Sequence, residues 1–311
     1  MKSDLTLDPV IRDLLEHYEE ERDEQVQDYI DHPDKLPPFM DFKVDYAFKY
    51  ILGHKAILMK LLNDILPVEV SDIEYLPNEI PVQSPKEKRA MFDVICTNRH
   101  TGEKFITEMQ RVPDIDMDNR LLYYGCSLIH NQIKRGATTY SLKPVFVICI
   151  ANYERLHFQK IPEDKFFFQY LFREENNLDD ILTKNLQFFF LELPRLTKVW
   201  DSLETNLERW CYLFGNLNNF AKVPNDPAGF DEVFEIARTG ELDKNKLKKY
   251  LASMLNEYDI YVIGEYYRRE GIIQVAKAMV AKGMPTETIA EVTGLSEEAI
   301  HELQSPSNGN D

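Results

Sequence analysis

Cysteine is sparse in this chain, and no two cysteines lie close together. Cys96, Cys126, Cys149 and Cys211 are scattered, with no C-x-x-C pair. That pattern argues against a disulfide framework or a zinc site and favours a reducing compartment, so a cytoplasmic location is expected. Three of the four sit in apolar runs, where a free thiol behaves as a small hydrophobe. No apolar run is long enough to span a bilayer, so no membrane segment is expected. The opening Met1-Lys-Ser-Asp-Leu-Thr-Leu-Asp8 lacks the apolar core of a secretory signal. There is no Gly-rich phosphate loop, no ligand spacing among the 7 histidines, and no local Ser-His-Asp or Cys-His arrangement. Internal repeats and low-complexity segments are absent as well.

Positive charge is also in deficit. Lys and Arg number 36 against 53 Asp and Glu, a net charge of −17. Such a balance argues against broad, nonspecific binding to nucleic acid. The deficit is uneven, however. Residues 1–38 carry twelve acidic and four basic side chains, net −8, whereas residues 86–143 carry ten basic and seven acidic, net +3. The second stretch can meet a phosphate backbone locally, although mixed charge ordinarily marks a solvated surface.

What the chain does contain is enough apolar material for a core: 311 residues, 44% hydrophobic and 12% aromatic. One large domain with appendages or two modest ones both fit that length. A charged helix is expected over residues 9–30, followed by a Pro-rich break at His32–Pro38. Helical spacing recurs from Asp41 to Leu66, interrupted at Gly53. Short apolar pieces at Ile73–Leu76 and Ile80–Gln83 predict a first strand. A helix over residues 116–135 is capped by Asp116 or Asp118 and closed by Lys134, Arg135 and Gly136. Pro144–Ala151, continuously apolar, reads as a strand buried on both faces. Leu186–Leu193 reads as another strand, and helices are expected over Trp200–Phe220, Asp231–Ala237 and Lys244–Arg269. The order predicts an α/β fold with a mixed central sheet.

The chemistry sits in a hairpin. Ala90–Thr97 and Lys104–Gln110 both read as strands, joined by Asn98-Arg-His-Thr-Gly-Glu103 with turn-forming Asn and Gly. A turn centred between His100 and Thr101 places Asp93 opposite Glu108. Opposed Cβ atoms on an antiparallel pair lie roughly 4.5–5.5 Å apart. Gln110 shares the face of Glu108, because side chains alternate along a strand. Two carboxylates this close amid apolar neighbours repel unless one is protonated or a cation lies between them. A hard divalent ion such as Mg²⁺ resolves the repulsion. An exposed hairpin whose acids simply face water is the alternative.

The arrangement of Asp93, a hairpin and Glu108-Met-Gln110 in an α-β-β-β-α-β order resembles the PD-(D/E)XK nuclease superfamily, with its restriction-endonuclease-like core. More narrowly the chain resembles the Rpn family of recombination-promoting nucleases, also described as transposases. The matching pieces are Asp45-Tyr-Ala-Phe-Lys49, Phe92-Asp-Val94, Ile106-Thr-Glu-Met-Gln110, Arg120-Leu-Leu-Tyr-Tyr124, Gly136 with Tyr140 and Lys143-Pro-Val145, Leu191-Glu-Leu-Pro194, Trp210 and Ala290–Ser296. Each is weak alone; their shared order and spacing make the set specific.

The resemblance implies a Mg²⁺-dependent phosphodiesterase, with Mn²⁺ able to substitute, acting on DNA because of the family's link to mobile DNA. It implies that Asp93 and Glu108 ligate the metal together with the backbone carbonyl of Met109. Gln110 stands where the superfamily commonly has Lys, and it can orient a water without supplying positive charge. Asp45 matches an acidic residue of the family's first helix, in support of the site or of a second metal; equally it reads as an acid stabilising a helix N-terminus. Arg120 can face phosphate, although such a segment is more often half core and half surface. Lys49 reads as an i,i+4 partner of Asp45.

The expected organisation is an acidic extension and linker at 1–38, a nuclease-like core at 39–195, a helical region at 196–269, a helix-turn-helix-like tail at 270–304 and disorder at 305–311. The tail resembles a DNA reader in pattern, but residues 285–304 hold five Glu and no Lys or Arg. It is therefore expected to pack on its own chain or to mediate self-association into a homo-oligomer. Two functions remain in competition: a DNA endonuclease, and a catalytically weak nuclease fold serving as a binding or regulatory module.

Overall fold

The computed structural model describes residues 23–80, 90–114, 116–133, 136, 138–155 and 161–304. Most of the expected N-terminal helix, the strand residues 81–83, Lys134, Arg135 and the tail 305–311 lie outside the described residues. The described part of that helix is α1 (residues 23–31), followed by the expected break. Two helices come next, α2 (Asp45–Leu52) and α3 (Lys55–Ile65), separated at Gly53. A Cβ at Gly53 would meet the Lys49 carbonyl at 2.8 Å, so the chain turns there without a side chain.

The strands are β1 (Ile73–Tyr75), β2 (Glu79–Ile80), β3 (Ala90–Met91), β4 (Val94–Asn98) and β5 (Lys104–Gln110). After α4 (Met117–His130) come β6 (Val145–Ala151), β7 (Phe167–Arg173) and β8 (Ile181–Glu192). Six of them form one mixed sheet in the order β1-β4-β5-β6-β8-β7, and β2 pairs with β3 separately. β5, β6 and β8 run parallel at its centre, flanked by antiparallel partners on both sides. β6 is buried along its whole length. The aromatic strand β7 was not expected from the sequence; its Phe167-Phe-Gln-Tyr-Leu-Phe172 carries a clear β signal. Among the described residues it pairs with β8 alone, with two register shifts, which leaves its burial irregular and its period-2 signal weak.

α4 crosses over from β5 to β6 and covers one face of the sheet, where Met117, Leu121 and Leu128 bury against Ile106, Val147 and Phe190. Gly125 permits the close approach: a Cβ there would meet Leu186 Cδ1 at 2.6 Å. α5 (Asn206–Asn216) starts with a capping box between Thr205 and Glu208, and α6 (Asp231–Ile236) follows. The expected Trp200–Phe220 helix is in fact α5 flanked by two short 3-10 turns. Residues 25–254 form one compact unit, so the helices as far as the start of α7 (Lys244–Ala281) share it with the sheet.

A second unit begins at Leu255. Here α7 runs through Glu270 without the expected separation of two helices. It ends near Gly283, which has φ +69°. α8 (Thr286–Thr293) stops at Gly294 in the left-handed conformation, and α9 (Glu297–Gln304) follows. Ala276, Ile289 and Ile300 form a small buried cluster among these three helices. Both glycines end their helices in the left-handed conformation that residues with a Cβ rarely adopt. Among the described residues no helix is long and apolar enough to cross a membrane.

Candidate active site

The site lies at the end of the β4–β5 ladder. The last paired residues are Val94 and Thr107, in the register expected from the hairpin turn. Beyond that pair, side chains replace backbone partners. The Asp93 amide donates to Glu108 Oε1 at 3.1 Å, and the Met109 amide donates to Asp93 Oδ2 at 3.0 Å. Each carboxylate is thereby clasped by the opposite chain, and Asp93 Oδ1 and Glu108 Oε2 are left to turn elsewhere.

Strand alternation also directs Met109. The Gln110 carbonyl accepts from the Asn152 amide beyond β6, so the Met109 carbonyl points to the opposite edge of β5, towards Asp93. All of this sits at the carboxyl end of a parallel strand, where open α/β sheets place ligands.

Burial dominates the electrostatics. Glu108 is only 4% exposed. Burial first, and then the neighbouring Asp93 charge, hold its carboxyl well above the ordinary 4.5. The Asp93 amide, Arg120 and Lys49 pull it back part of the way. Burial also raises Asp93, against the Met109 amide and Lys49. A buried acid beside a partly exposed one, both resisting ionisation, favours a cation between them.

One cation is already close. Lys49 Nζ on α2 lies 2.5 Å from Asp45 Oδ1 and 3.5 Å from Asp93 Oδ1. Burial lowers the lysine pKa, but the hydrogen bonds and charges of Asp45 and Asp93 outweigh it, so the net shift is upward. The i,i+4 pairing read from the sequence is present, and it extends to the hairpin, which spacing alone did not indicate.

Arg120 projects from the first turn of α4. Its Nη1 donates to Asp114 Oδ2 at 2.8 Å and its Nη2 to Gln110 Oε1 at 2.7 Å. Its Nε is buried without a hydrogen-bond partner. Because arginine is donor-only, the atom it holds on Gln110 must be the oxygen. The amide Nε2 of Gln110 therefore faces away from Arg120. Asp114, not singled out from the sequence, also accepts from the Asp116 amide at 2.9 Å and so links the loop before α4 to this clamp.

Among the described residues, no group of three or more His, Cys, Asp or Glu side chains is placed to hold a metal ion. The donor set here is two carboxylates and a strand carbonyl. All are hard oxygens suited to Mg²⁺, which keeps several waters and needs only one or two carboxylates. An ammonium drawn to within 3.5 Å of Asp93 Oδ1 shows that this edge of the pair attracts positive charge.

Residues 42–265 match the model of the PD-(D/E)XK nuclease family transposases. Residues 269–305 match the C-terminal HTH domain of the Rpn/YhgA-like nuclease family. No curated protein and no solved structure matches. The hairpin with its opposed acids, the mixed sheet around it and a family match over most of the chain lead to one assignment: the chain belongs to the PD-(D/E)XK nuclease family transposases, with an Rpn/YhgA-like C-terminal domain.

Proposed function

We propose that the protein is a Mg²⁺-dependent DNA endonuclease, with Mn²⁺ able to substitute, working in the cytoplasm on recombining or mobile DNA. The observation that carries this reading is the mutual clasp of Asp93 with the buried Glu108. Asp93, Glu108 and the Met109 carbonyl would hold the ion. Once bound, Mg²⁺ supplies the charge that ionises both acids, activates a water and neutralises the scissile phosphate.

The remaining chemistry belongs to Gln110 and Arg120. With its oxygen held by Arg120, Gln110 presents a donor, so it orients a water or phosphate oxygen and cannot act as a base. Arg120 thus works on the substrate through Gln110. Gln110→Ala is expected to lower turnover by about 10–100-fold with Mn²⁺ affinity nearly unchanged. Gln110→Lys is expected to keep or raise activity. Arg120→Ala should reproduce the Gln110→Ala loss, and the double variant should lose little more, since the two act as a unit. It should also shift the pH profile upward, because Arg120 helps keep Glu108 ionisable. A loss of metal binding in Gln110→Ala would assign Gln110 a ligand role instead.

The decisive experiment is nicking of supercoiled plasmid in Mg²⁺ or Mn²⁺, with single-stranded RNA in parallel. Metal-dependent nicking lost in Asp93→Ala supports the reading. A second reading, a nuclease fold used as a binding or regulatory module, draws on Gln110 in place of lysine; absence of cleavage with every metal would favour it.

The C-terminal unit adds self-association to this reading. Residues 285–304 contain five Glu and no Lys or Arg, whereas helices that read DNA rely on basic and polar contacts to phosphate. Residues 270–311 are expected to give no mobility shift with duplex DNA at low salt. A clear shift that weakens with added salt would overturn that expectation.

A further inference from the structure

Positive charge reaches this site from outside the β5 strand. Gln110 carries none, and the guanidinium of Arg120 is engaged by Asp114 and Gln110. Lys49 approaches the same place from α2. Long helical side chains lean back towards the helix N-terminus, so Lys49 extends over Asp45, one turn earlier, and its Nζ sits 2.5 Å from Asp45 Oδ1. That tether leaves the ammonium 3.5 Å from Asp93 Oδ1, the oxygen that the Met109 amide does not occupy. At that distance the ammonium reaches Asp93 as a long charge-assisted contact, weaker than its contact with Asp45. The ammonium has three donors, so Asp45 and Asp93 leave capacity for a further oxygen.

We propose that Lys49 is a catalytic residue that donates to a non-bridging oxygen of the scissile phosphate, and that Asp45 is the positioning residue that aims it. The proposal rests on the nuclease reading above and gives Asp45 a role distinct from metal ligation. In the free protein the Lys49 ammonium partly neutralises Asp93. Asp93 would help hold the divalent ion, and Lys49, tethered to Asp45, would then be free to donate to a phosphate oxygen of the substrate. A lysine from a helix thereby supplies the charge that a glutamine on the strand cannot.

The two roles separate in metal affinity. Lys49→Met removes a cation that competes for Asp93, so calorimetric titration with Mn²⁺ should show equal or several-fold tighter binding. Plasmid nicking should nevertheless fall by about 10²–10³-fold, as for loss of one preorganised charge-stabilising donor. Asp45→Asn should leave Mn²⁺ affinity unchanged and reduce nicking by about 10–100-fold. The double variant Lys49→Met, Gln110→Lys should recover part of the lost activity, because the charge returns from the strand. Thermal melts of each variant identify any that fail to fold, and the Gln110→Lys rescue then stands as evidence independent of the Lys49→Met loss.

Wild-type nicking rates in Lys49→Met would overturn the proposal. So would an Asp45→Asn loss of Mn²⁺ affinity as large as that of Asp93→Asn, or failure of Gln110→Lys to rescue a folded Lys49→Met protein. Failure of the nuclease reading looks different: the wild type does not nick, and Glu108→Gln leaves Mn²⁺ binding unchanged. In that event both readings fall together.

Discussion

Glu108→Gln is expected to abolish metal-dependent cleavage, by about 10³-fold, while making the metal-free protein more stable. Both effects have one origin. Glu108 is buried and faces Asp93, so its charged form is disfavoured by desolvation and by a like charge. Glutamine keeps an oxygen that can accept from the Asp93 amide, as Glu108 Oε1 does, and it removes the charge. Replacing an acid whose ionisation burial penalises by a neutral side chain of equal size is worth about 1 kcal/mol or more once the unfolded glutamate ionises. For a protein of this size each such increment moves Tm by roughly 2–4 °C.

The pH dependence of that gain is specific. The folded-state value of Glu108 lies above the ordinary 4.5, so the folded wild type holds a proton that the unfolded chain has released. Wild-type stability from this group is therefore full below 4.5 and is lost as pH rises through the raised folded value. The difference in Tm between Glu108→Gln and wild type should be small in acid and grow as pH increases. Saturating Mg²⁺ should reverse the order, raising the wild type by about 2.7 kcal/mol at 100-fold excess over Kd and leaving the variant little changed. Equal melting of the two proteins at neutral pH would refute this account of the pair.

The second large effect is structural. Trp210→Ala is expected to cost about 3–5 kcal/mol, a fall in Tm of roughly 6–20 °C. Trp210 is fully buried on α5, with its ring centroid 5.7 Å from that of Phe214 and 4.9 Å from that of Phe230. Its Nε1 donates to Asp64 Oδ2 on α3 at 2.9 Å. Asp64 also accepts from Asn206 Nδ2 at 2.9 Å and pairs with Lys60 at 3.0 Å. Removing the indole opens a cavity and takes one donor from a carboxylate held between two helices. The loss should reach the active site, because α3 continues from α2, which carries Asp45 and Lys49. Trp210→Phe keeps most of the packing and should cost only about 1–3 kcal/mol, the cost of a lost partner for a buried polar group. Thermal and urea melts compare the two; near-wild-type melting of Trp210→Ala would remove the basis for this docking role.

Much of this was legible in the chain itself. The hairpin register follows from a local turn, and a two-residue period then assigns every side chain to a face, which is why the opposition of Asp93 and Glu108 could be derived from numbering alone. The unbroken apolar run of β6 marked a strand covered on both faces. Gly53 marked the break between α2 and α3. The edge strand β7 and the 3-10 turns around α5 were not legible, since pairing and packing there override a weak local signal; α7 runs on through Glu270, where the sequence divided it.

The sequence by itself determined the fold class, the carboxylate hairpin and the family resemblance, because these rest on short-range periodicity and turn chemistry. Only the tertiary structure decided which charges meet. Lys49 reaches Asp93 across 44 positions of chain, and Arg120 turns back to Gln110 and Asp114 instead of facing outward. Such pairings depend on how helices pack against the end of a sheet. That packing is set by many distributed apolar contacts, and no single spacing in the chain encodes it.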